Sequence, residues 1–75
     1  MTPHFPALSY RDCAVLARER GFAFWRQGKG SHEIWKRVAD GRRTVLPNHG
    51  AHPLKRKTVK SILDDLGIDP RELTS

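Results

Sequence analysis

The sequence predicts an α+β domain in which two helices pack on one face of a three-stranded antiparallel sheet. Three observations support this fold class. An amphipathic segment lies near each end of the 75-residue chain, three short strand-like runs lie between these segments, and glycine-containing turns separate the runs. Such turns join neighbouring strands as hairpins. The element order is therefore α-β-β-β-α, and two helices that share one face of a sheet form a two-layer domain.

Each predicted helix has its own signals. Ser9 followed by Asp12 is a variant of the capping box, and Gly21 is a typical C-terminal stop, which together predict a first helix over residues 10–20. A second helix is predicted over residues 56–66 because four apolar residues recur there at helical spacing. These residues are Val59, Ile62, Leu63 and Leu66.

The three predicted strands cover residues 22–27, 31–38 and 42–46, and each ends near glycine or proline. Strand alternation divides the second strand into two faces, either of which is compatible with burial. One face carries Ser31, Glu33, Trp35 and Arg37, and the other carries His32, Ile34, Lys36 and Val38. Trp25 and Trp35 have two interpretations: they fill the core, or they stack on nucleic-acid bases.

The length and composition predict a single domain over residues 9–75, preceded by a flexible N-terminal arm over residues 1–8. The first residues lack the regions of a signal peptide, and no run approaches the roughly 18 apolar residues of a transmembrane helix. Cys13 is the only cysteine, which excludes an intrachain disulfide and is typical of a reducing compartment. We therefore expect a cytoplasmic protein that does not associate with membranes.

The strongest functional signal is charge, because 14 Lys and Arg oppose 8 Asp and Glu and give a net charge of +6. Such an excess favours a polyanionic partner, chiefly nucleic acid. Four cations crowd the start of the second helix: Lys55, Arg56, Lys57 and Lys60. The helix dipole disfavours cations at this end, so the predicted role of these side chains is to bind RNA phosphates beside the open backbone N–H groups. A solvated basic face is the alternative interpretation.

A second signal is the glycine-rich segment 28–32, in which the glycines allow a phosphate to approach the backbone. Imidazole exchanges protons near neutral pH, so His32 is a candidate general acid or base. Arg26, Lys29 and Ser31 are candidates to position the phosphate. From these residues alone, a purely structural role for His32 is the competing interpretation.

A metal site is the rival use of His32, His49 and His52. The chain has a single cysteine and no ligand spacing typical of structural zinc, so we expect no metal and no other cofactor. His49 and His52 are predicted to be solvated residues of the loop 47–53, and their contact with RNA is left open.

An ordered set of short motifs resembles the HicA family of toxins over residues 9–73. In chain order the motifs are Ser9–Asp12 at a helix start, Gly21-Phe22, Arg26-Gln27, Gly30-Ser31-His32-Glu33-Ile34-Trp35, Asp40-Gly41-Arg42-Arg43, Pro47-Asn48-His49 and Leu54-Lys55-Arg56-Lys57-Thr58-Val59-Lys60-Ser61-Ile62-Leu63. The resemblance implies a double-stranded RNA-binding fold and a messenger RNA interferase. It also implies a HicB-type antitoxin, which is expected to be acidic and to cover the active site. The family's essential histidine follows Gly-Ser, which implies that His32 is catalytic.

The expected function is therefore that of a toxin from a type II toxin–antitoxin system, acting as a metal-independent endoribonuclease on messenger RNA. A mechanism that uses the 2′-hydroxyl of RNA predicts that DNA is not cut. Two other classes of function remain open. One is a non-catalytic double-stranded RNA-binding module, and the other is an interaction protein whose basic surface meets an acidic partner.

Overall fold

The computed structural model describes residues 7–73. Its elements are α1 (Tyr10–Glu19), β1 (Phe22–Gln27), β2 (His32–Arg37), β3 (Arg43–Pro47), α2 (Arg56–Leu66) and a short 3-10 helix (Pro70–Leu73). The strands form one antiparallel sheet in the order β1-β2-β3, and both helices pack on the same face of it. The predicted fold class is confirmed. The α1 helix ends one residue earlier than predicted, and β2 and β3 each differ from the prediction by one residue at both ends.

The start of α1 uses the predicted capping box, with Asp in the position that Glu usually occupies. The Asp12 N–H donates to Ser9 Oγ (3.3 Å), and the Ser9 N–H donates to an Asp12 carboxylate oxygen (3.0 Å). The α2 helix ends at Gly67, whose φ of 74° lies in the left-handed region that favours glycine. Within the described part of the chain, neither α-helix has the length and apolarity to span a membrane.

Trp35 shows which face of the sheet is buried. It is 2% exposed and belongs to a core formed by the sheet and both helices. The larger members of this core are Phe22, Trp35, Leu46, Val59, Ile62, Leu63 and Leu66. Strand alternation places Glu33 on this inner face with Trp35, and places His32 and Ile34 on the outer face, which is open to solvent. His32 is accordingly exposed.

A β-bulge in β1 changes the alternation along that strand. Phe24 pairs with Trp35, but the next paired residue is Arg26, which lies opposite Ile34, so Trp25 is the extra residue. In a bulge, two residues of one strand oppose a single residue of the other. Trp25 and Arg26 therefore both lie on the outer face, whereas regular alternation would place them on opposite faces. The two tryptophans, for which the sequence leaves both interpretations open, thus have different environments.

The predicted N-terminal arm, residues 1–8, falls mainly outside the described residues. At its described end, the carbonyl of Leu8 accepts a hydrogen bond from the N–H of Leu54 (2.8 Å). The Leu8 side chain is partly buried against the core, and Ser9 pairs with Pro53 in an isolated bridge. These contacts attach the residues just before α1 to the loop that precedes α2.

Candidate nucleic-acid interface

A groove of about 510 Å³ follows β3, an edge strand of the sheet, beside α2. The sheet lines it with His32, Ile34, Arg43, Val45 and Pro47, and α2 lines it with Lys57, Thr58 and Ser61. The hydroxyl of Thr44 donates to the carboxylate of Asp65 (2.9 Å) and thereby fastens β3 to α2 within this groove. The groove therefore passes round the edge of β3 and connects the start of α2 with the outer face of the sheet.

The turn before β2 fixes the backbone of His32 while leaving its ring exposed. The His32 N–H donates to the Lys29 carbonyl (3.1 Å), and the His32 carbonyl accepts from the Gly28 N–H (2.7 Å) and from Gln27 Nε2 (2.9 Å). A Cβ atom at Gly28 would lie 3.1 Å from the His32 carbonyl oxygen, which is closer than most side chains tolerate. Glycine at this position therefore permits the backbone geometry that holds His32.

Ser31 and His49 meet beside His32. Ser31 Oγ lies 3.1 Å from His49 Nε2, and the Ser31 carbonyl accepts from the Asn48 N–H (2.8 Å). These contacts tie the loop after β3 to the turn before β2, so the exposed His49 ring has a defined partner. His52 is exposed in the same loop. Within residues 7–73, no three His, Cys, Asp or Glu side chains are grouped as a metal site requires.

Glu33 organises the inner side of the strand end that carries His32. Its Oε1 accepts from the Tyr10 hydroxyl (2.6 Å) and Trp35 Nε1 (3.0 Å), and its Oε2 accepts from Asn48 Nδ2 (3.0 Å). Burial acts to raise the pKa of Glu33, but these hydrogen bonds outweigh it and hold the pKa below its ordinary value. The carboxylate therefore stays ionised and joins α1, β2 and the loop that carries His49.

Sequence reasoning did not place Glu33 among the site residues, although the sequence contains a signal for it. Once Trp35 is assigned to the core, alternation puts Glu33 on the same buried side. A carboxylate on that side needs hydrogen-bond partners. The identity of those partners, Tyr10 and Asn48, depends on how α1 and the β3–α2 loop pack and has no sequence signal.

The first turn of α2 is open to an anionic ligand. Its N-cap residue, Lys55, makes no side-chain hydrogen bond to the helix, and the turn contains no acidic residue. Lys57 lines the same groove as His32, which brings two predicted site residues together. Lys60 Nζ lies 3.6 Å from a carboxylate oxygen of Asp64, an exposed pair of a kind that contributes little to stability.

The two cations predicted to accompany His32 lie in different places. Lys29 is exposed in the turn between β1 and β2. Arg26 lies on the outer face, where its guanidinium carbon is 4.6 Å from the centroid of the Trp25 ring. Arg26 therefore lies on the open face of the sheet with His32, whereas Lys29 lies in the turn.

Comparison with known proteins adds one finding about the whole domain. A family model described as the HicA toxin of bacterial toxin-antitoxin matches residues 10–68, which include α1, the sheet and α2. No curated protein and no solved structure shows a significant match to this chain.

Proposed function

Because the chain belongs to the HicA toxin family of bacterial toxin–antitoxin systems, we propose that it is an endoribonuclease that cleaves messenger RNA with His32 as its catalytic group. The observation that carries the proposal is the groove that His32 shares with Lys57. It combines an exposed imidazole with the basic, uncapped first turn of α2. A group that moves protons and a site for phosphate are the two components that RNA cleavage needs.

RNA carries its own nucleophile, the 2′-hydroxyl beside the scissile phosphate. In the proposed reaction this oxygen attacks the phosphorus, and the bond from phosphorus to the 5′-oxygen of the next nucleotide breaks. His32 takes the proton of the 2′-hydroxyl as this oxygen attacks and, as imidazolium, gives a proton to the departing 5′-oxygen. The backbone hydrogen bonds of the preceding turn hold His32 in position during these steps.

The cations around the groove bind the RNA backbone. Lys55, Arg56, Lys57 and Lys60 bind phosphates at the start of α2, where the helix dipole also favours an anion. Arg26, Lys29 and Ser31 position the phosphate near His32. The contact between Ser31 and His49 orients the serine hydroxyl and keeps His49 within the same site.

The toxin–antitoxin family implies a protein partner, which we propose to be an acidic HicB-type antitoxin that covers His32. The net charge of +6 and the exposed imidazole favour such a partner. The partner would also stabilise this small domain, because any ligand that binds only the folded state does so. We also propose that both proteins act in the cytoplasm, where messenger RNA is found.

The test is a cleavage assay on RNA, with the matching DNA as a second substrate, that compares the wild type with His32→Ala and Lys57→Gln. The wild type is expected to cut RNA and leave DNA intact. His32→Ala should lower the cleavage rate by about 10²–10⁴-fold while retaining RNA affinity, because a positioned acid or base contributes about that much. Lys57→Gln should weaken binding and still cut at saturating RNA.

Arg71→Gln is the matched control, because Arg71 pairs with Asp69 (2.7 Å) in the segment after α2 and not in the groove. It should change neither binding nor cleavage. If His32→Ala cuts as fast as the wild type, the assignment of His32 is wrong. If the wild type binds RNA and never cuts it, the protein is a non-catalytic RNA-binding module.

A further inference from the structure

Trp25 is an exposed aromatic side chain on the outer face that the proposed mechanism does not use. It lies there beside Arg26, which the bulge in β1 brings to the same face, and it remains 41% exposed. Three cations lie around its ring, with Arg26 Cζ, Lys36 Nζ and Arg43 Cζ at 4.6, 4.8 and 4.9 Å from the ring centroid. The cations come from β1, β2 and β3 respectively, so the whole sheet builds this cluster.

The Trp25 cluster carries positive charge without a matching carboxylate. Among residues 7–73, none of its three cations forms an ion pair, whereas Arg37 of the inner face pairs with Asp40 at 2.7 Å. Like charges around one ring repel each other, and the exposed cation–π contacts offset that repulsion. A bound anion would reduce the repulsion among the three cations.

Arg43 connects the Trp25 cluster with the groove that contains His32. The same side chain lines the groove and lies against the Trp25 ring. An RNA strand whose phosphates follow Lys57 and Arg43 therefore brings a neighbouring nucleotide onto Trp25. The cluster is an extension of the candidate site along the outer face.

We propose that Trp25 is a stacking platform for one unpaired RNA base close to the cleaved nucleotide, and that Arg26, Lys36 and Arg43 bind the phosphates beside that base. The inference rests on the proposed endoribonuclease function and deepens it, because it names single-stranded RNA as the substrate at this subsite. A base within a duplex is already stacked on its neighbours and cannot also cover Trp25.

Stacking of a base on the Trp25 ring is stronger than any one of the cation–π contacts that the ring now makes. An exposed cation–π contact changes an equilibrium by about two- to fivefold, whereas stacking of a base on an aromatic side chain changes it by about five- to one-hundredfold. The base therefore displaces a cation from the ring, and the displaced cation binds a phosphate of the RNA. An acidic protein would use the three cations but would gain much less from the aromatic ring.

The experiment measures RNA binding in the full chain carrying His32→Ala, so that the RNA stays intact. Trp25→Ala, Trp25→Phe and Phe24→Ala are added to this background. Phe24 is the matched control, because it is a half-exposed aromatic of the same strand that pairs with Trp35 on the other face. The probes are a short single-stranded RNA, the same RNA annealed to its complement, and a polyglutamate peptide.

Trp25→Ala should weaken binding of the single strand by about five- to one-hundredfold, and Phe24→Ala should leave it unchanged. Trp25→Phe should retain most of the affinity, because it keeps an aromatic face. The single strand should also quench tryptophan fluorescence, and Trp25→Phe should abolish the quenching because the remaining Trp35 is buried.

Three results would overturn the proposal: equal affinity of Trp25→Ala and Phe24→Ala for the single strand, equal losses on single strand and duplex, or a Trp25-dependent loss confined to polyglutamate. The last result would assign the cluster to an acidic protein instead. Cleavage by the chain with intact His32 is measured separately. A failure to cut counts against the endoribonuclease and leaves the Trp25 binding result to be judged independently.

Discussion

The two tryptophans lie on opposite faces of one sheet and have opposite surroundings. Trp35 is 2% exposed, donates a hydrogen bond to Glu33, and has the guanidinium carbon of Arg18 at 5.1 Å from its ring centroid. Trp25 is 41% exposed and has three cations within 5 Å of its ring centroid. The inner face balances its charges within the protein, whereas the outer face leaves positive charge available to a ligand.

This difference distinguishes the face of the sheet that stabilises the domain from the face that is open to a ligand. A chain of this size buries only about 60% of the surface that it exposes when unfolded, so one face of the sheet must supply most of the core. The outer face can then carry His32 and the cations, because their burial is not needed for folding. Glu33 connects the two faces. Its hydrogen bonds on the inner side hold β2, the strand that begins with His32.

The largest expected contrast in stability is between Trp35→Ala and Trp25→Ala. Replacing a buried tryptophan by alanine typically costs about 3–5 kcal/mol, which is most of the stability expected for 75 residues. Replacing Trp25 should cost only about 1–2 kcal/mol, because its cation–π contacts are at the surface and its loss opens no cavity in the core. Urea unfolding followed by circular dichroism measures both values. Similar losses for the two variants would mean that the outer face is also part of the core.

Glu33→Ala should lower the free energy of unfolding by about 1.5–3 kcal/mol, since it leaves the buried Nε1–H of Trp35 without its charged acceptor. Glu33→Gln should cost less, because an amide oxygen can still accept from Tyr10 and Trp35. Thermal unfolding measures both variants, and about 1 kcal/mol corresponds to about 4–8 °C in a domain of this size. If the two variants are equally stable, the carboxylate does not hold the inner face together.

Much of this arrangement could be predicted from local signals in the sequence. The capping residues, the apolar spacing of α2 and the turns around the strands predict the fold class. The choice of His32 as candidate catalytic residue comes from the family resemblance, in which the essential histidine follows Gly-Ser. Alternation alone could not decide whether His32 is exposed, because either face of β2 is compatible with burial.

The Trp25 cluster could not be predicted, because it depends on the bulge. Regular alternation separates Trp25 from Arg26, and no residue in β1 signals the extra position. The contact between Ser31 and His49 was missed for a similar reason, since it depends on the path of the loop after β3. Features that need two distant segments to meet are the ones that the sequence leaves undetermined.

The dependence of stability on pH also distinguishes the two faces. Burial raises the pKa of Tyr10 to about 12, and its hydrogen bond to the ionised Glu33 acts in the same direction. Because the phenol of the unfolded chain titrates near 10, the resulting stability is complete below about pH 10 and is lost as the pH rises towards about 12. The measurement is urea unfolding of the wild type and Tyr10→Phe across this range.

Tyr10→Phe should be less stable than the wild type at neutral pH, because it lacks the hydrogen bond to Glu33, and the difference between the two proteins should shrink as the pH rises. Burial also raises the pKa of the Cys13 thiol, to about 11, but this contribution is common to both proteins and cancels in the comparison. Since Tyr10 and Glu33 both belong to the inner side, adding Trp25→Ala to both proteins should leave the difference between them unchanged at each pH. A constant difference between wild type and Tyr10→Phe would show that folding does not raise the pKa of Tyr10.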